Sequence, residues 1–203
     1  EVTSQAPFDK TVEVSMCYSI TESEPVEDNS YLSYNVAMES NLDPDEYIAM
    51  QIIDYALCTA PGAVLKQTML DRNIGKDIYS FYDNGVKQPY FSIVAKNSDE
   101  EKKEEFLSTI KEVLTDTVNN GFNKDSLLAA LNVLEFKFRE ADFGSYPPGL
   151  MYGLQAFDSW LYDKKSPFMH IEANETYAYL KDNIDTKHMY NPIAELTVSY
   201  NGV

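Results

Sequence analysis

The side chains with chemistry to offer in this 203-residue sequence are two histidines, two cysteines and a few acidic clusters. His170 and His188 stand far apart, and neither falls in an H-E-x-x-H or an inverted H-x-x-E-H pattern. The first lies in Met169-His170-Ile171-Glu172. A zinc hydrolase needs imidazoles at helical spacing with a general base beside them. A satisfied surface or loop role is therefore expected for both. Cys17 and Cys58 form no C-x-x-C pair. Their apolar neighbours predict inert thiols buried as small hydrophobes, neither nucleophiles nor a disulfide. Glu22, Glu24, Glu27 and Asp28 lack the Asp/Asn ladder and glycine of a calcium loop, which leaves a solvated turn. The run Gly144-Ser145-Tyr146-Pro147-Pro148-Gly149 precedes a helix, where free backbone N–H groups can hold an anion. Its prolines remove those donors, and a structural loop remains. Asn174-Glu175-Thr176 fits a glycosylation sequon but lies in a predicted helix, and is taken as chance. No catalytic, cofactor-binding or metal-ligating residue is expected.

Bulk properties narrow the function classes. The chain carries 16 basic against 33 acidic residues, a formal charge of −17. Such a field repels phosphate backbones, so nucleic acid is not an expected partner. Apolar content of 44% with 24% charged residues is globular composition. No run of 18 apolar residues occurs, so no membrane span is expected. No signal peptide is evident, and a cytoplasmic or organellar location is expected over secretion. The opening Glu1 in place of Met suggests a processed product or a fragment of something longer.

The elements that would position these side chains follow from periodicity. Val12, Val14, Met16, Tyr18 and Ile20 alternate with polar residues, which predicts a half-buried strand paired antiparallel with a second one through Leu32, Tyr34, Val36 and Met38. Asp43-Pro44-Asp45-Glu46 is a helix start, with Asp43 as cap and Pro44 in the first turn. Ile48, Ile52 and Tyr55 with Ala49, Ile53 and Ala56 mark its buried face. A shorter helix through Val64, Leu65, Thr68 and Met69 closes with Gly75 as C-cap. Ile78 to Asp83 and Tyr90 to Ala95 read as strands joined across Asn84-Gly85. Ser98-Asp99-Glu100-Glu101 predicts a capping box opening a helix with Phe106, Ile110, Val113, Leu114 and Thr117 inward. Asn123 caps the next helix, striped by Leu127, Leu131, Leu134 and Phe138, with Glu135, Lys137, Arg139 and Glu140 on its other face.

Pro147 and Pro148 start a further helix, with Ser145 as its N-cap. Leu150, Leu154, Phe157 and Leu161 form one apolar stripe, flanked by Trp160 and expected to pack the helical layer. Glu172 to Asn183 gives a last helix with Tyr177 and Leu180 inward, and Ile193 to Tyr200 a weak strand. This order predicts an α+β fold, a two-layer domain with a mixed, mainly antiparallel sheet packed on one side by helices. Residues 1–203 are expected to be one α+β domain, with a C-terminal boundary that the sequence leaves open after about residue 185.

Three segments carry a resemblance: Asp43 to Gly75; Gln88 to Glu140, with Ala130-Leu131-Asn132-Val133-Leu134-Glu135-Phe136; and Arg139 to Phe168, with its Gly-Ser-x-Pro-x-Gly-Leu and Trp-x-Tyr-Asp spacings. Together they make the sequence resemble the second, non-catalytic domain of insulinase-type (pitrilysin-like) zinc metallopeptidases, in the presequence protease and falcilysin branch. The resemblance covers roughly residues 5 to 185. The strand ending expected of the family is not evident in 186–203.

The resemblance implies one of four related α+β domains enclosing a peptide-degrading chamber. It implies zinc in the parent protein, bound in the first domain, and none in this chain, since no position here matches the H-x-x-E-H ligands. The implied partners are neighbouring domains of the same chain and peptide substrates, basic ones if the acidic surface faces the chamber. These residues alone are expected to be inactive. The alternative is a scaffold or binding module from an inactive family member or subunit. A third possibility, that these residues are themselves a hydrolase, would require stoichiometric zinc and peptide cleavage.

Overall fold

A computed structural model describes residues 3–6 and 8–184. In chain order the elements are β1 (Ser30–Ala37), α1 (Pro44–Asp54), α2 (Val64–Asp71), β2 (Asp77–Asp83), β3 (Tyr90–Ser98), α3 (Lys103–Asn120), α4 (Lys124–Arg139), α5 (Pro148–Trp160) and α6 (Asn174–Asp182). A π-type turn at Tyr55–Thr59 continues α1, and a 3-10 turn at Glu100–Lys102 leads into α3.

The described sheet is antiparallel throughout, in the order β1-β3-β2. Phe91, Ile93 and Ala95 of β3 sit opposite Val36, Tyr34 and Leu32 of β1, and opposite Tyr82, Ser80 and Ile78 of β2. Because side chains alternate across a strand, this register gathers the apolar rows on one face. There they meet Met50, Ile53 and Leu57 from the α1 region, Leu65 and Met69 from α2, and Phe106, Ile110 and Leu114 from α3. On the opposite face the Ser92 hydroxyl donates to Asn35 Oδ1 at 2.6 Å, which satisfies a fully buried polar residue.

A second core lies behind α1. Tyr47, Ile48, Ala49, Ile52 and Ala56 pack against Leu127, Ala130 and Leu131 of α4 and Tyr177 and Leu180 of α6. α1 is thus buried on both flanks, which explains its composition. The run from Pro44 to Asp71 is apolar enough to match a membrane span, with a mean hydropathy of 1.4 in its best window, but 56% of that window is buried inside the molecule. It is a core helix pair interrupted near Pro61-Gly62.

The helix starts at Asp43 and Asn123 form as expected: Asp43 Oδ1 accepts from the Asp45 and Glu46 amides, and Asn123 Oδ1 from Ser126 N. Other expectations are corrected. Val12 to Ile20 forms no strand and does not pair with β1, whose described partner is β3. The segment is held by side chains instead: Lys103 Nζ reaches Glu13 at 2.7 Å, and the Tyr18 hydroxyl bonds to Asn29. Alternation says that one face wants cover, but a ladder also needs a partner edge in register. Cys17, expected buried, is therefore exposed, whereas Cys58 is buried.

Gly75 is not a C-cap. Asn73, at φ +54°, takes the left-handed position after α2. A Cβ on Gly75 would fall 2.9 Å from the Lys96 carbonyl oxygen, so the glycine is there for close approach to β3. Ser98 does not cap α3, because it is buried at the end of β3 with its hydroxyl bonded to the Ile74 carbonyl. Pro147, not Ser145, occupies the N-cap of α5. The predicted strand Ile193 to Tyr200 lies outside the described residues.

Two substitutions test this layout by equilibrium urea unfolding. Ile53→Ala, at a fully buried contact with the sheet, is expected to lose about 2–5 kcal/mol. Asp43→Ala removes the α1 cap and is expected to lose about 1 kcal/mol.

Candidate functional site

Three groups with shifted titration, Tyr47, Asp158 and His170, gather with Asn41, Tyr82 and Asp83 where the β1–α1 loop, the β2–β3 hairpin, α5 and the loop before α6 meet. Asn41 is fully buried and ties three segments together. Its Nδ2 donates to the Asp158 carbonyl at 2.6 Å and to the Asn84 carbonyl at 3.4 Å, and its amide donates to the Lys87 carbonyl at 3.0 Å. Gly85 sits between two carboxylates: a Cβ there would lie 3.5 Å from Asp158 Oδ1 and 3.9 Å from Asp83 Oδ1. Burial, with the charge of Asp83 added, pushes the Asp158 carboxyl up from 3.8 to about 6.

His170 was expected at a satisfied surface or loop position. It is in a loop, but buried, with its ring stacked on Tyr47 at 3.8 Å between centroids and 14° between planes. Both ring nitrogens are buried without a hydrogen-bond partner among the described residues. Burial therefore pushes the imidazole down from 6.5 to about 4 and keeps it neutral. The same surroundings raise the Tyr47 phenol, first through burial and then through the charge of Asp158. His188 lies outside the described residues.

This arrangement holds segments together through Asn41. Among the described residues no three His, Cys, Asp or Glu side chains come together as a metal site. A zinc does not fit here, since the described histidine has an aromatic ring against its face and no carboxylate hydrogen-bonded to either nitrogen. Cys58, its thiol pushed up to about 12 by burial, is no nucleophile. The acidic turn holds one functional-looking contact, Asp28 with Lys76 at 2.7 Å, but on exposed side chains. Sequence reasoning missed the Asn41–Asp158 tie and the Asp83–Asp158 proximity. Their only local trace is Asn84-Gly85, which marks a turn and says nothing of what packs on it.

The fold defines an α+β domain, helices on one side of an antiparallel sheet. The chain belongs to the family described as Peptidase M16 inactive domain, whose model matches residues 3–134. It is 34% identical over 199 residues to Protein HypA of Clostridium perfringens, an alignment covering 98% of this chain and 20% of that protein. It is 29% identical over 167 residues to Presequence protease 1, chloroplastic/mitochondrial, of Arabidopsis thaliana, covering 80% of this chain and 15% of that protein. The chain thus spans a fifth or less of the length of these curated relatives. The fold is similar to the solved inactive peptidase domain of a Bordetella parapertussis protein described as a zinc protease. There the TM-score is 0.53 at 9% identity, over 83% of this chain and 82% of the other.

Asp158 and His170 give opposite pH dependences. Asp158 holds its proton more tightly when folded, so its contribution to stability falls as pH rises from 3.8 to about 6. His170 resists protonation when folded, so its contribution falls as pH drops from 6.5 to about 4. Asp158→Asn is expected to raise the urea midpoint near neutral pH and to leave it unchanged below the usual carboxylate range. His170→Phe is expected to remove the acid-side loss. Midpoints measured across the range check both, and a pH-independent gain for Asp158→Asn would place its effect elsewhere.

Proposed function

We propose that this chain is a non-catalytic domain of a zinc-dependent, oligopeptide-degrading metallopeptidase and forms part of the wall of an enclosed peptide chamber. The observation that carries this is the match of residues 3–134 to the Peptidase M16 inactive domain. The relative named as a presequence protease supports it. In this reading the zinc belongs to another domain of the same polypeptide, and this domain contributes surface and support.

The charge of −17 suggests the substrate preference. A chamber wall lined by carboxylates concentrates cationic peptides and repels acidic ones. Such selectivity weakens with salt, because exposed charges are screened.

Two measurements test the proposal. The gene that encodes this chain is expected to carry an H-x-x-E-H motif in a preceding domain, and the full-length protein to bind zinc and cleave peptides. Absence of the motif would instead favour a scaffold module from an inactive family member. In the active full-length enzyme, neutralising chamber-facing carboxylates is expected to lower kcat/KM for basic peptides while sparing neutral ones. Equal changes for both would remove the electrostatic part.

A further inference from the structure

α5 has an apolar stripe, and the structure leaves that stripe outside. Leu150, Leu154, Phe157 and Leu161 recur at helical spacing and are 53%, 50%, 47% and 67% exposed, and Ser159 is the helix's one buried residue. Trp160 is also half exposed and stacks on Phe157 at 6.0 Å. This corrects the expectation that the stripe packs the helical layer of this chain. The helix is tied near its C-terminal end, where Asn41 bonds the Asp158 carbonyl at 2.6 Å and the Ser159 hydroxyl donates to the Ser166 carbonyl at 2.7 Å. A helix of 13 residues is marginal in water unless an apolar face is packed.

Gly153 points the same way. Glycine destabilises a helix interior relative to alanine, and in such a place it usually answers a packing need. Nothing lies within 4 Å of where a Cβ on Gly153 would sit, and the same holds for Gly149 one turn earlier. No described neighbour requires either residue to be small. A backbone brought close from outside the chain would.

We propose that the outward face of α5 is the surface on which a neighbouring domain of the same, longer polypeptide packs. This rests on the multidomain reading above and names the face that makes the contact. The aligned regions are 20% and 15% of the relatives' lengths, so about four fifths of a polypeptide of that size lies outside this chain. A second copy is a poorer occupant, because each copy carries −17, and an anionic lipid surface is poorer for the same reason. Half-exposed leucine and aromatic side chains beside bare glycines call for an apolar, close-fitting protein surface.

Hydrogen exchange on the unmodified full-length protein tests this. Amides across residues 150–157 are expected to exchange as slowly as those of α1. Leu154→Glu combined with Phe157→Glu is expected to speed them at least tenfold while α1 keeps its protection, which shows that the domain is still folded. Exchange at 150–157 as fast as in residues 12–20 of the unmodified protein would overturn the proposal. Protection that disappears on dilution would also overturn it, by assigning the face to a second copy. The outcome is separable from the peptidase reading: a full-length protein without a zinc motif could still protect α5, and an active peptidase could leave it bare.

Discussion

α1 is buried on both flanks, and the two cores depend on that constraint. Its Met50 and Ile53 face the sheet, and Tyr47, Ile48, Ala49 and Ile52 face α4 and α6. Its polar residues Asp45, Glu46, Gln51 and Asp54 are half-buried, so no wide solvent face orients it. Its direction is set instead at its ends. Asp43 satisfies two amides at the start, and a π-type turn closes the far end, where Ala60 N bonds the Tyr55 carbonyl at 2.7 Å. The sheet and the helical layer are organised by contact with this one element.

Around it the polar groups act mainly as fasteners. Asp54 takes a bond from Ser80 of β2, and its carboxyl is pushed up by burial. Asn41 fastens the start of the α1 region to the hairpin and to α5. Arg72 makes a bidentate pair with Glu112 at 2.9 Å, joining the end of α2 to α3, with a further bond to Thr109. Asn41 ties through its Nδ2, while its Oδ1 is buried without a partner among the described residues, as are both nitrogens of His170. The stacking of His170 on Tyr47 is the contact that holds its ring.

For a member of the Peptidase M16 inactive domain family, this economy is coherent. The interior is assembled from apolar packing and a few ties, while α5 presents apolar side chains outward. Exposed patches of that kind mark interaction surfaces. The thiol of Cys58 and the imidazole of His170 are both held neutral by burial.

Much of the fold was legible in the residues. Asp43 and Asn123 announced their helices because capping is local, a side-chain oxygen meeting amides two or three positions on. The hairpin between β2 and β3 and the inward faces of α3 and α4 followed from period and turn residues. What the residues could not specify was the partner of each apolar face. Val12 to Ile20 and Leu150 to Leu161 both carry the correct alternation or stripe, yet both lie exposed, because periodicity states that a face is apolar and not what covers it. Gly75 and Ser98 looked like caps, but were claimed by the close approach of the α2–β2 connection to β3. The Asp83–Asp158 proximity and the burial of His170 joined positions far apart in the chain. Local backbone and capping preferences belong to the sequence alone. Desolvation, proximity and cover arise only when distant segments meet, and the tertiary structure decided those.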